Sequence, residues 1–181
     1  MNQFNLLKAG MEKAFLDAKC KANPDLVPSL LTNNPKKGQK VFLALEAELQ
    51  RCQEFCFSVA FITESGLQLF KPVLQYLEQK GIPGRILTTD YLAFSDPKAL
   101  NTLLDLKNIE LRMYCCQKQE NPSDSVGFHT KGYFFEEDDQ CCMIIGSSNL
   151  TDAALCTNEE WNTRLITSRK RQLLYGVHEC L

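Results

Sequence analysis

The chain has 181 residues, with 20 Lys and Arg against 22 Asp and Glu and a formal net charge of −2. That length suffices for one domain with a real hydrophobic core, and the near balance of charge excludes a global basic field, so any polyanion must be held by local patches. Nine cysteines, an odd number, do not read as a secreted disulfide framework, and with no signal-type h-region or bilayer-length apolar run the sequence reads as a soluble, cytoplasmic protein.

Phe4, Leu7, Met11, Phe15 and Ala18 recur at helical spacing and predict an amphipathic first helix, which Asn23-Pro24 breaks. A short apolar stretch, Leu26 to Leu31, leads to turn chemistry at Asn33-Asn34-Pro35. A second helix is predicted from about Gln39 to Arg51, with Phe42, Leu45 and Leu49 inward. Phe55 to Ile62 is a continuous apolar run and reads as a buried parallel strand. Glu64 to Lys80 is helical by period, with Pro72 inside it as a kink, and Gly81-Ile82-Pro83-Gly84 stops it. Arg85 to Thr89 is the next strand. Ser95 or Asp96 caps a helix that begins with Pro97, and Ile109 to Tyr114 alternates as a strand. Gln117 to Gly127 is a polar loop. FHTKGYFF and CCMIIGSS form a hairpin with Glu137-Asp138-Asp139-Gln140 at its tip, followed by a helix over Leu150 to Leu155 and a last strand around Thr163 to Ile166. Alternating elements of this kind imply an α/β fold, a mixed β-sheet sandwiched by helices.

The cysteines fit that interior. Cys115-Cys116 and Cys141-Cys142 are vicinal pairs in apolar strands and read as reduced, buried thiols. Cys52 and Cys56 are four apart and could share a helix face, but with only two histidines and no paired C-x-x-C no zinc site is expected.

The chemistry concentrates between Phe128 and Asn162. His129 and Lys131 are two apart in a strand and so project from one face. Gly146-Ser147-Ser148-Asn149 forms a turn after the next strand. An imidazole can attack phosphorus, an ammonium can neutralise phosphate oxygens, and amide and turn groups can hold the rest. This is a site for a phosphate ester that needs no metal or cofactor. Ser147 and Ser148 either donate to phosphate or only shape the turn. Asn149 can cap the following helix and face an anion at once. Glu159 and Glu160 are competing candidates for a carboxylate partner of the site. Trp161 is expected to anchor the core.

These residues closely resemble the phospholipase D superfamily, whose signature is His-x-Lys, four residues, Asp, then Gly-Ser-x-Asn (the HKD motif). Here His129-Thr130-Lys131 and Gly146-Ser147-Ser148-Asn149 match it, with Glu136 in the place of the usual Asp and a few more residues before Gly146. FSVAFITESGL, GRILTTDYLAFSDPKAL, FHTKGYFF and GSSNLTDAALCTNEEWN further resemble the nuclease-type domain at the N-terminus of some bacterial superfamily II helicases and in certain restriction endonucleases. The resemblance implies a phospholipase D-like half at residues 53–167, preceded by an N-terminal helical segment, 1–52, and followed by a basic tail, 168–181. It also implies His129 as nucleophile, with Lys131, Asn149 and Glu160 as its partners, and Glu136 and Gly146 as structural positions of the motif.

One motif per chain, where the family's chemistry uses two, implies a homodimer. The expected function is a metal-independent phosphodiesterase acting on DNA, a nuclease with a phosphohistidine intermediate. Lys36, Lys37 and Lys40 form one candidate backbone-contacting cluster, and Arg169, Lys170 and Arg171 another. A helicase region in the same or an associated chain is a further expected partner, since no G-x-x-x-x-G-K-[ST] occurs here. A phospholipase or transphosphatidylase acting on lipid is the first alternative. A non-catalytic nucleic-acid-binding or dimerisation module is the second.

Overall fold

The computed structural model of the protein describes residues 28–115, 127–138 and 140–168. The expected first helix, the loop from Gln117 to Gly127 save its last residue, the cluster Arg169 to Arg171, and Cys116 lie outside them.

Seven strands form one mixed sheet. β1 is Ser29–Leu31, β2 Glu54–Val59, β3 Gly84–Thr89, β4 Ile109–Tyr114, β5 Lys131–Glu137, β6 Gln140–Gly146 and β7 Asn162–Ser168. Their order is β1-β7-β6-β5-β2-β3-β4. β2, β3 and β4 are parallel, joined by α2 (Glu64–Lys80) and α3 (Pro97–Leu104). From β2 outward through β5, β6, β7 and β1 every pairing is antiparallel. β2 is therefore not a purely parallel strand, although its buried apolar run reads as one, because the hairpin β5–β6 docks against its other edge.

Helix boundaries follow local chemistry. Thr63 caps α2 by accepting from the Gly66 N–H, and Gly81 at φ 67° closes its C-terminus. α2 runs unbroken through Pro72. Asp96 caps α3 with Pro97 as the first helical residue. α1 is Val41–Leu49. The last helix, α4, is only Asp152–Cys156, and its cap is Thr151, not Asn149 as the sequence suggested.

The core lies on one face of the sheet. Phe55, Phe57, Val59, Ile86, Tyr133, Phe135 and Ile144 pack there against Val41, Leu45, Leu49, Leu67, Phe70, Leu77, Leu103 and Leu155. The described part of the N-terminal segment supplies β1 to the sheet and α1 to this core. The opposite face carries a small cluster of Cys141 and Met143 with Phe134 and Leu165.

The hairpin tip is tight. Glu137 pairs with Gln140, and Asp138 adopts the left-handed conformation at φ 49°. Cys52, Cys56, Cys141, Cys142 and Cys156 are buried free thiols. Cys52 follows α1 while Cys56 lies within β2, so the two do not share a helix face. Burial pushes the thiols of Cys52 and Cys142 up to about 12, which suppresses thiolate chemistry.

Candidate active site

The site forms where β5 begins, beside the end of β2 and the turn after β6. β2 and β5 run antiparallel, with Val59 opposite Lys131. Thr130 O accepts from the Ala60 N–H, and the Thr130 hydroxyl meets Ser58 at 2.6 Å on the far side of the strand. Alternation then sends His129 and Lys131 the other way together. Lys131 Nζ lies 2.9 Å from His129 Nδ1 and also donates to the His129 carbonyl at 2.9 Å. Lys131 opens β5, and His129 precedes it by two residues, exposed.

Lys131 is only 9 % exposed. Burial pushes its ammonium below the usual lysine range, and the Glu160 carboxylate pulls it partly back. Its two hydrogen-bond acceptors, both from His129, carry no negative charge. A charged ammonium has no lone pair, so Nδ1 must accept, which leaves the proton of a neutral imidazole on Nε2.

The Gly-Ser-Ser-Asn turn is fixed from three sides. A Cβ on Gly146 would meet the Trp161 carbonyl oxygen at 2.2 Å, so only glycine lets the end of β6 approach the start of β7 this closely. Ser148 is fully buried. Its hydroxyl donates to the Ala154 carbonyl at 3.4 Å and accepts from Asn162 Nδ2 at 2.9 Å, while its own carbonyl accepts from the buried Tyr133 hydroxyl at 2.9 Å. Ser148 thus shapes the turn. Ser147 is exposed, and its hydroxyl donates to Glu160 Oε2 and accepts from the Trp161 N–H at 3.1 Å. Asn149 Oδ1 accepts from the Phe61 N–H at 3.2 Å, which spends it on the segment after β2 rather than on a helix cap.

Glu160 stands in the segment before β7, not on the strand itself, and Ser147, not the His129 ring, is its hydrogen-bond partner. Glu159 is exposed. Trp161 is 71 % exposed, contrary to the expected core role. Its backbone is held by Ser147 and its indole is left in solvent. Glu136 is buried five residues along β5, on the face opposite Lys131 and about 17 Å away by strand rise. It is not part of the constellation.

Lys36 and Lys37 form an exposed 3-10 turn, and exposed Lys40 precedes α1. Asn33 ties this segment to α4 and its exit, donating to the Ala154 and Asn158 carbonyls at 2.9 and 2.8 Å. The basic turn is therefore tethered to the stretch that leads into Glu160. Asn162, 1 % exposed, clamps Ser148 and was not singled out by sequence. An asparagine opening a strand that carries Thr163, Ile166 and Thr167 was the available signal. Phe61 is the other residue the sequence reading missed. Among the described residues, no three His, Cys, Asp or Glu side chains gather as a metal site, and no helix is long and apolar enough to cross a membrane.

This His-Lys pair beside a Gly-Ser-Ser-Asn turn, on a seven-stranded mixed sheet, is a phospholipase D-like arrangement. The family described as "Cardiolipin synthase, PLD-like domain" matches residues 45–174, and the chain belongs to that PLD-like family of phosphodiesterases. The fold is similar to NucT from Helicobacter pylori, with a TM-score of 0.63, 14 % identity, and coverage of 85 % of this chain and 92 % of that one. Nuc from Salmonella typhimurium, a phospholipase D family member, superposes at TM-score 0.57 with 16 % identity over 84 % of this chain and 91 % of that one. Phosphatidylserine synthase of Haemophilus influenzae superposes at 0.62 with 14 % identity, over 97 % of this chain but 43 % of that one. At these identities the likeness is one of fold. No curated protein sequence matches the chain.

Proposed function

We propose that this chain is a metal-independent DNA phosphodiesterase in which His129 forms a phosphohistidine and a second copy of the chain completes the site. The observation that carries the reading is the buried Lys131 ammonium, 2.9 Å from His129 Nδ1 and bonded only to uncharged acceptors of His129. Such a cation is under-neutralised, and a phosphodiester is the anion its neighbours can process. A bound phosphate draws Lys131 off Nδ1. The ring proton can then reside on Nδ1, and Nε2 presents its lone pair to phosphorus. The N–P bond forms as the P–O bond to the leaving group breaks. The leaving oxygen takes a proton from His129 of the second copy, which then deprotonates the water that cleaves the phosphohistidine. The dimer is supported by the need for this second acid–base group, because His129 is the one histidine among the described residues. Glu160 stabilises the Lys131 charge and orients Ser147, and Asn149 ties the turn to the segment after β2.

DNA as substrate is supported by the Lys36-Lys37-Lys40 turn tethered near Glu160, and by the exposed Trp161 indole beside Ser147, a surface on which an unpaired base can stack. A helicase region as partner rests on the sequence resemblance alone. A lipid phosphodiester is the second reading, favoured by the apolar loop Tyr91, Leu92 and Phe94, which is 41 %, 62 % and 55 % exposed and reaches the site through Phe61.

Hydrolysis of single- and double-stranded DNA, of bis(p-nitrophenyl) phosphate and of phosphatidylcholine vesicles, all in EDTA, tests the reading. DNA cleavage should persist in chelator, and His129→Ala should reduce it at least about 10³-fold. Activity that vanishes in EDTA and returns with magnesium overturns the mechanism. Cleavage of vesicles but not DNA transfers the site to lipid.

A further inference from the structure

Phe61 touches three members of the candidate site at once. It follows β2, between the fully buried Ala60 and Ile62, yet it is itself only half-buried. It keeps the parity of Phe55, Phe57 and Val59 and so the same face of the sheet, but it lies beyond the end of β2, where the core gives way to the mouth of the site. The ring centroid lies 5.7 Å from that of His129 at an interplanar angle of 73°. Lys131 Nζ stands over the same ring at 5.9 Å. On the backbone, the Phe61 N–H is held by Asn149 Oδ1 at 3.2 Å, and its carbonyl accepts from the Leu150 N–H at 3.1 Å. Phe94 backs it with a second edge-on ring at 5.0 Å. One residue therefore links the imidazole, the ammonium and the Gly-Ser-Ser-Asn turn, which come from three separate parts of the chain.

We infer that Phe61 is the positioning residue of this site: its ring holds the His129 imidazole and the Lys131 ammonium in register, while its backbone locks Asn149 to the same frame. A plain apolar filler does not account for the arrangement. The π face attracts the ammonium, which an aliphatic side chain of equal volume does not. The edge-on contact restricts rotation of the imidazole, which otherwise turns freely at an exposed position. The ring thereby fixes the orientation of the imidazole: at rest Lys131 donates to Nδ1, and when a phosphate draws Lys131 away Nε2 still points to the mouth of the site.

The inference rests on the proposed function for its catalytic consequence, but not for its structural one, so the experiment reads both. Phe61→Leu keeps an apolar side chain and removes the ring. Phe61→Tyr keeps the ring. The two histidines make ¹⁵N ring spectra simple to assign, with His129→Ala identifying the signals. In the wild type at a pH where the ring is neutral, His129 should show an unprotonated Nδ1 and a protonated Nε2. In Phe61→Leu the two shifts should converge toward tautomer-averaged values, and Phe61→Tyr should restore their separation. On DNA, Phe61→Leu should lower kcat about tenfold while KM changes by less than about twofold, again restored by tyrosine.

An unchanged ¹⁵N pattern in Phe61→Leu overturns the inference, and so does a changed pattern with unchanged kcat. If the wild type hydrolyses no phosphodiester, the functional reading fails and the ¹⁵N comparison alone decides this one. Should circular dichroism show that Phe61→Leu does not fold, Phe61→Met carries the same two readouts.

Discussion

Two charged clusters are built into this domain, and they are balanced in opposite ways. Glu48 on α1 is 4 % exposed and accepts from Arg51 at 2.6 Å and from Arg164 of β7 at 2.8 Å. Burial alone would push its carboxyl up, but the hydrogen bonds and charges of the two guanidiniums outweigh that and hold it below the ordinary 4.5. Lys131 is comparably buried but bonds only to uncharged atoms, and burial wins over the pull of Glu160. In the first cluster the buried charge has two partners of opposite sign, Arg51 being shared with Glu137 at 3.6 Å, and the group fastens a helix to a sheet. The second is under-supplied and has an exposed imidazole at its mouth. A buried charge that its own fold fully neutralises reads as structure; one that it leaves short reads as a place for an ion of opposite sign.

Removing Glu48 is the strongest way to break the comparison. Glu48→Ala removes the Glu48 ion pair from Arg164, whose side chain is 17 % exposed, and should cost about 2–4 kcal/mol in chemical denaturation. The pH signature follows from the depressed carboxyl. The stability from Glu48 is fully present above pH 4.5 and is lost as pH falls through the lower folded value. Glu48→Gln should flatten that acid limb, and a limb of unchanged steepness contradicts the assignment.

At the site, the effect moves to activity. Glu160→Gln removes the group that pulls the Lys131 ammonium back up. Turnover of DNA should fall about tenfold, and the alkaline limb of the pH–rate profile should shift to lower pH. Glu159→Gln should change turnover by less than about twofold, since Glu159 is exposed. A reversal of the two phenotypes gives the countercharge role to Glu159.

The smallest effect is the most discriminating. Lys131 has a folded pKa below its ordinary 10.5, so its charged form opposes folding at neutral pH. That cost fades as pH rises through the folded value and both states lose the proton. Lys131→Met should therefore abolish DNA cleavage while raising Tm at pH 7 by roughly 2 °C, with the gain shrinking as pH rises through the lowered folded value and gone above the ordinary 10.5. A lower Tm at pH 7 shows that the two bonds to His129 outweigh the burial of the charge. The site then resembles the Glu48 cluster after all.

The elements were largely legible because their signals are local. The 3.6-residue period of Glu64 to Lys80, the Asp96-Pro97 cap, and the alternating hairpin each act within one helix or strand, and each appears at the expected place. The His-Lys spacing and the glycine turn were legible for the same reason. The two-residue alternation of extended chain dictates that His129 and Lys131 share a face. Asn149 went differently from its expected cap because Thr151 competes for the same helix start and Phe61 supplies another donor. Trp161 went differently because its backbone, not its ring, is what the fold uses.

By itself the sequence determined the strand and helix periods, the motif and the residue types available for phosphoryl chemistry, since these depend on neighbours within a few positions. Only the tertiary structure decided that Glu160 turns to Ser147, that Ser148 is sealed under Asn162 and Tyr133, and that Phe61 reaches His129 and Lys131. Those contacts join residues brought together by the β2–β5 and β6–β7 pairings. Hydrogen bonds and ring contacts act over a few ångströms, so their partners are chosen by how strands stack side by side, which no local pattern encodes.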